Sequence, residues 1–308
     1  MLFSPVLAPG MVFAQLVADP DFNTTVARPA YVKTHPKVLI DEAHANFHTA
    51  AGRYKPLADL LSNDGYQVTP LKDKFSVTAL KGYHVLVIAN ALGAGSTSSR
   101  EWSRDWFEAG AKPAFSEQEC DDVREWIHAG GALLLIADHR PFGAAAEILA
   151  QRFAVEMSQG YVFDTTNLDT KGDYRNELTF TRENGGLADH PVTQGRDETE
   201  RINRVMTFVG QSLRGPAGSA AFLRLADTAI DRQDLATSTP EVSAAGRSQG
   251  IAMKFGKGRV VILGEAAMLS AQVPLGSKEK EKFGMNAPGI DNRQLALNIM
   301  HWLSGLLD

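Results

Sequence analysis

Three apolar runs in this chain end on acids and imidazoles, the side chains that move protons and hold metal ions. Val38-Leu39-Ile40 leads into Asp41-Glu42-Ala43-His44, with Asn46 and His48 just beyond. Leu133-Leu134-Leu135-Ile136-Ala137 leads into Asp138-His139, and Val260-Val261-Ile262-Leu263-Gly264 leads into Glu265. A carboxylate beside an imidazole can activate water as a general base. His44, Asp138, His139 and Glu265 are the catalytic candidates, with His44 or His139 as base and Asp138 or Glu265 orienting it. The same side chains can instead hold a divalent ion, zinc or calcium, that acidifies a bound water. Asp41, His44, His48 and Asp138 are the candidate ligands, since His44 and His48 stand four apart as in a helical zinc pair.

Neutral polar groups complete the candidate site. Asn46, Asn90, Asn286 and Asn292 can donate to substrate oxygens, and Asn286 or a backbone N–H can steady an oxyanion. Trp102, with Trp106 nearby, can stack on a ring or pack on the core. Asp164, Asn167, Asp169 and Asp173 form an oxygen-rich loop, but Lys171 stands where a calcium loop wants an acid or Asn. Each charged candidate also has a structural role open to it. Asp138 can cap the helix after Pro141, Glu265 can sit at a helix N-terminus, Asp291 can be an N-cap, and His44 can bridge loops.

The elements that must position these groups are legible from periodicity. Continuous apolar runs bounded by turns read as strands buried on both faces of a parallel sheet. In such sheets ligands bind beyond the carboxyl ends of the strands. Strands are expected at Lys37–Ile40, Tyr66–Thr69, Val85–Ala89, Ala132–Ala137, Ala220–Leu225, Gly250–Phe255 and Arg259–Leu263. Gly256-Lys257-Gly258 is a hairpin signal. Helices are expected over Tyr54–Asn63, from the capping box Ser116-Glu117-Gln118-Glu119 to Ala129, over Phe142–Phe153, and from Asp291 to the end. Residues 155–215 alternate short β-like pieces with polar turns and read as an insertion or antiparallel extension. The whole predicts an α/β fold, a flavodoxin-like and mostly parallel sheet flanked by helices, with that β-rich extension.

Composition narrows the function classes. The chain has 308 residues, of which 44% are hydrophobic and 22% charged, so it can bury a full core. A net charge of -5 without a basic stripe argues against nucleic acid as a partner. No run reaches the roughly 18 apolar residues of a membrane span. The single cysteine, Cys120, excludes an internal disulfide and lies among acids, which suits a structural thiol. Gly-x-Ser-x-Gly, P-loop, Gly-x-Gly-x-x-Gly and His-Glu-x-x-His motifs are all missing, so no nucleotide cofactor is expected. Residues 1–35 read as an export-signal remnant ending at Val12-Phe13-Ala14, then a Pro-containing leader. That places the protein in the periplasm or outside the cell; an apolar tail packed on the domain, in a cytoplasmic protein, is the alternative.

Ile40-Asp41-Glu42-Ala43-His44, the run from Gly130 to His139, Gly264-Glu265-Ala266-Ala267-Met268 and Gly284-Met285-Asn286 resemble the DUF4350-type proteins of the class I glutamine amidotransferase-like superfamily. The resemblance covers the chain from about Pro36 to the end. It implies one α/β domain over residues 36–308 with its site at the strand ends. Amidotransferase members carry a nucleophilic cysteine in the turn after a central strand. Here that turn holds Asp138-His139, so glutaminase chemistry is not implied.

The expectation is a hydrolase of a small ester, lactone or amide, with acyl-homoserine lactones among the conceivable substrates. The alternative is a non-catalytic carbohydrate- or small-ligand-binding module of the cell envelope.

Overall fold

The computed structural model describes residues 16–93, 112–164, 177–233, 241–276 and 281–308. Strands β1 (Lys37–Asp41), β2 (Gln67–Leu71), β3 (Val85–Ala89) and β4 (Ala132–Ile136) come first, and the hairpin β5 (Ser248–Phe255) and β6 (Gly258–Leu263) follows. Their order in the sheet is β2-β1-β3-β4-β6-β5. The first five in that order are parallel, and β5 runs antiparallel to β6. Counting only the parallel strands, this is the 2-1-3-4-5 order of flavodoxin-like sheets.

The apolar runs form strands because both faces of the sheet are covered. On one face Val38, Ile40, Val85, Val87, Leu134 and Val261 meet Leu57, Leu60 and Leu61 of α1 (Lys55–Asn63). On the other, Leu86, Ile88, Leu133 and Leu135 meet Val123 and Ile127 of α2 (Glu117–His128) and Leu149 of α3 (Phe142–Ala150). The last helix, α4 (Asn292–Leu303), buries Leu295 and Ile299 against the first face. Gly256 turns the β5–β6 hairpin at φ +58, where a Cβ would lie 2.6 Å from the His128 carbonyl oxygen.

Both boundaries of the last helix differ from expectation, and α3 gives way to a 3₁₀ turn at Gln151. Helix α4 ends at Leu303 because Gly305 takes a left-handed φ of +80 after it, and Leu306 is left 39% exposed. Asp291 occupies the N-cap position but does not cap; its carboxylate accepts the N–H groups of Asn203 and Arg204 instead.

The β-rich extension continues well past residue 215. Strand β5 pairs with Ala220–Arg224 and Leu213–Arg214, and the latter pairs with Glu156–Met157. Two small sheets join Tyr161–Phe163, Ile230–Arg232 and Glu241–Ser243, and Glu177–Thr181 with Arg204–Phe208. Residues from 209 to 212 lie across the strand ends. Gln211 donates its backbone N–H to Gly264, and its amide to the carbonyls of Ala137 and Asp138. Leu16–Ala18 pairs with Ala271–Pro274, and Tyr31 packs on the core. The Val12-Phe13-Ala14 segment lies outside the described residues. Among the described residues no helix is long and apolar enough to cross a membrane.

Candidate functional site at the strand ends

The groups singled out in sequence follow the carboxyl ends of four adjacent strands. Asp41 closes β1, Asn90 follows β3, Asp138 follows β4 and Glu265 follows β6. They sort into two clusters.

The first is built on β1 and α2. Asp41 accepts from Nδ1 of His44 at 2.9 Å, and Nε2 of His44 lies 2.8 Å from Oε1 of Glu119. Asn46 donates to Asp41 at 2.9 Å and accepts the His44 backbone N–H. Glu119 also completes the capping box with Ser116 and accepts the Phe75 N–H. Phe75 and Phe115 flank the imidazole, with ring centres 4.4 and 4.8 Å away. Against the upward push of burial, the Ser116 N–H and the His44 ring hold the Glu119 carboxyl down to about 2. With no exposed surface and a carboxylate at each nitrogen, His44 ties the loop after β1 to the start of α2. Neither of its nitrogens is free of a carboxylate partner, which disfavours His44 as the base and leaves His139 as the other candidate.

The second cluster joins β3, β4 and β6. Asn90 sits at φ +50, a left-handed conformation Asn tolerates. Its Oδ1 accepts the Asp138 N–H at 2.9 Å, and its Nδ2 lies 3.3 Å from Nδ1 of His48. Asp138 accepts from the N–H groups of His139 and Ala266. Glu265 accepts from Ala267 at 2.6 Å and from Met268 at 2.7 Å, the turn that follows its strand. Burial first, and the Asp138 charge second, push the Glu265 carboxyl well above its ordinary range. Burial also raises Asp138, and the nearby His139 partly offsets it. The Asp138 charge thus disfavours ionisation of Glu265, and burial disfavours ionisation of both. His139 donates from Nδ1 to the Arg140 carbonyl oxygen at 2.6 Å and stacks on Tyr161.

His48 packs on Tyr54 with ring centres 4.7 Å apart, and the Tyr54 hydroxyl donates to the Ala266 carbonyl. Burial and the Arg53 charge hold His48 well below the ordinary imidazole range. Its Nε2 is buried and has no hydrogen-bond partner among the described residues. Tyr54 and Gln211 frame this cluster and were not singled out in sequence. Both arrive through loops far from the residues they touch, and only a Tyr or Gln in a turn marks them.

The remaining candidates lie elsewhere. Asn292 is buried and spends its amide on Met206 and Met268. Asn286 donates to Asp19 and the Gln272 carbonyl, beside the small sheet at the N-terminal strand. Asp164 accepts the Thr228 hydroxyl. Trp102, Trp106, Asn167, Asp169 and Asp173 lie outside the described residues. Asp41 and His44 bond to each other while His48 and Asp138 bond to Asn90, so the four proposed ligands do not point at one centre. Among the described residues no three His, Cys, Asp or Glu side chains gather to hold a metal ion. Cys120 is buried in α2, and burial pushes its thiol up to about 12.

Neither a family model nor a curated protein matches the chain. Solved structures do. The mmIFT52 N-terminal domain shares 14% identity over 87% of this chain and 97% of its own, with a TM-score of 0.54. A protein described as ThuA-like from Bacteroides uniformis shares 14% over 89% and 94%, with a TM-score of 0.45. A protein described as a GMP synthase component from Thermoplasma acidophilum shares 10% over 89% and 96%, at 0.42. At 14% identity the likeness to the mmIFT52 domain is one of fold alone. The expected α/β sheet flanked by helices is the fold the chain adopts.

Proposed function

We propose that this chain is a hydrolase of a small ester, lactone or amide, and a DUF4350-type member of the glutamine amidotransferase-like superfamily. The observation that carries the reading is the Asp138–Glu265 pair, two carboxyl groups buried after neighbouring strands, both raised by burial and Glu265 also by the Asp138 charge. Groups perturbed by burial together with a specific charge partner concentrate at reacting sites. Glu265 is fully buried and fixed by backbone donors; Asp138 retains 8% exposure and is the group that reacts.

In this mechanism ionised Asp138 removes a proton from water while the water oxygen bonds to the carbonyl carbon. The proton on Asp138 then passes to the leaving oxygen or nitrogen as its bond to that carbon breaks. Burial raises the affinity of Asp138 for the proton it carries between these steps. The second reading, a non-catalytic binder of a carbohydrate or small ligand, draws on one observation. His44, Asn46, Asn90 and Asn292 all spend their polar atoms on the framework, which leaves few groups for chemistry.

The test is hydrolysis of p-nitrophenyl acetate, an acyl-homoserine lactone and a small amide by wild type and Asp138→Asn. Turnover is expected to fall at least ~100-fold in the variant. Equal turnover by both overturns the role of Asp138. No turnover by wild type, with thermal stabilisation by a sugar, replaces the hydrolase with the binder.

A further inference from the structure

We infer that His48 is a neutral hydrogen-bond donor that grips an acceptor oxygen of the bound molecule through Nε2. The inference takes its location from the proposed hydrolytic site but rests on different atoms.

The argument is one of donor and acceptor bookkeeping. The Asp138 backbone N–H can only donate, so the Asn90 atom 2.9 Å from it must be the carbonyl Oδ1. The other end of the amide, Nδ2, is then a donor, and it lies 3.3 Å from Nδ1 of His48. Nδ1 must therefore accept. A neutral imidazole whose Nδ1 accepts carries its proton on Nε2. Among the described residues no carboxylate bonds to either nitrogen, and Arg53 stands nearby with its guanidinium 3.8 Å from the adjoining Phe47 ring, so the surroundings disfavour a second proton. The resulting Nε2–H is buried and unpartnered among the described residues. A buried donor without an acceptor has lost its water and gained nothing in return, and a ligand oxygen that meets it recovers that cost.

The ring is held for this task. Asn90 fixes one edge, and Tyr54 and Phe47 pack on it at 4.7 and 5.5 Å. Asn90 bonds both His48 and the Asp138 backbone, so donor and carboxyl group share one support. A carbonyl oxygen that gains negative charge as water adds is the acceptor this arrangement suits, because a fixed neutral donor strengthens its bond as that charge develops. Esters, lactones and amides all present such an oxygen; an amine or a cation does not.

Two measurements test it. The first is the ¹⁵N–¹H correlation spectrum of the histidine rings in the full chain, assigned with His48→Gln. A neutral Nε2–H tautomer is expected, and its proton should shift downfield on titration with ethyl methylphosphonate, an anionic tetrahedral mimic. An Nδ1–H tautomer, an imidazolium, or no shift at any concentration overturns the inference whether or not the protein hydrolyses anything. The second is kinetic. His48→Phe is expected to lower kcat about 100-fold with KM nearly unchanged. His48→Gln, which can place an N–H near the same point, should recover at least tenfold of that loss. Equal defects in both variants, with melting temperatures matching wild type, also overturn it. Absence of turnover in wild type defeats the hydrolase reading alone and leaves the spectrum to decide the donor.

Discussion

The ends of β1 and β4 carry the same residue types in opposite electrostatic arrangements. Beyond β1, Asp41, His44 and Glu119 alternate acid, imidazole, acid, and every polar edge of the ring meets a carboxylate. Beyond β4 and its neighbour β6, Asp138 and Glu265 are both buried, and the Asp138 charge raises the Glu265 carboxyl. His48, from the loop after β1, meets the Asn90 amide on one side and no described residue's polar group on the other. The first arrangement satisfies itself and locks a loop to a helix. The second stores unfavourable electrostatics that only a proton or a ligand relieves. Perturbed groups of this kind concentrate at functional sites, which is why the second cluster carries the proposed chemistry.

The largest effect expected follows from breaking the closed cluster. Asp41→Ala leaves His44 buried with one carboxylate and removes the acceptor of Asn46. Removing one member of a buried pair costs about 3–5 kcal/mol. Urea unfolding should show that loss, whereas Asp138→Asn in the open cluster should cost less than about 1 kcal/mol because it also removes a like-charge contact. Equal losses at the two positions would erase the distinction between framework and site.

The pH dependence of stability sharpens the contrast, with opposite signs. Glu119 is held at about 2 against an ordinary 4.5, so the folded state binds its proton less readily than the unfolded chain. Its contribution is present above about 4.5 and is lost as pH falls through about 2. Glu265 is raised above 4.5, so the folded state holds its proton more readily. Its contribution is complete below about 4.5 and is lost as pH rises through the folded value. Glu265→Gln should flatten the decline on the alkaline side, and Glu119→Gln the decline on the acid side. Unfolding curves taken from about pH 3 to 8 check both; a Glu265→Gln profile that superimposes on wild type would remove the like-charge argument.

Much of this was legible before folding. Val38–Ile40, Val85–Ala89 and Leu133–Ala137 announce buried parallel strands because both faces are covered, and that burial forces continuous apolar sequence. The strand ends then locate Asp138 and Glu265. What the chain hides is which histidine is spent. His44 and His48 look alike at a spacing of four. The choice is made by Glu119, 75 residues beyond His44, whose local signature as the last member of a capping box is correct but incomplete. One carboxylate does both tasks, and local spacing records only the nearer one. The role of Gln211 is hidden for the same reason, since its amide bonds the carbonyls of Ala137 and Asp138 more than 70 residues earlier in the chain.

The smallest expected effect concerns metal. A divalent ion between Asp138 and Glu265 would turn the like-charged pair into a closed set and make the two strand ends electrostatically alike. Zinc or calcium there would need at least one more ligand, and His48 presents only a protonated Nε2 if its tautomer is the one inferred above. Dialysis against a chelator should therefore leave hydrolysis unchanged within about twofold, a shift of under ~0.5 kcal/mol in the barrier. The decisive opposite result is activity lost to the chelator and restored by a single added ion. It would put His48 on the metal through Nε2 with the proton moved to Nδ1, and the Asn90 amide would have to turn over to accept it. The same ¹⁵N spectrum that reports the tautomer would then record the change on adding the ion, so the two accounts of the open cluster predict different protons on one ring.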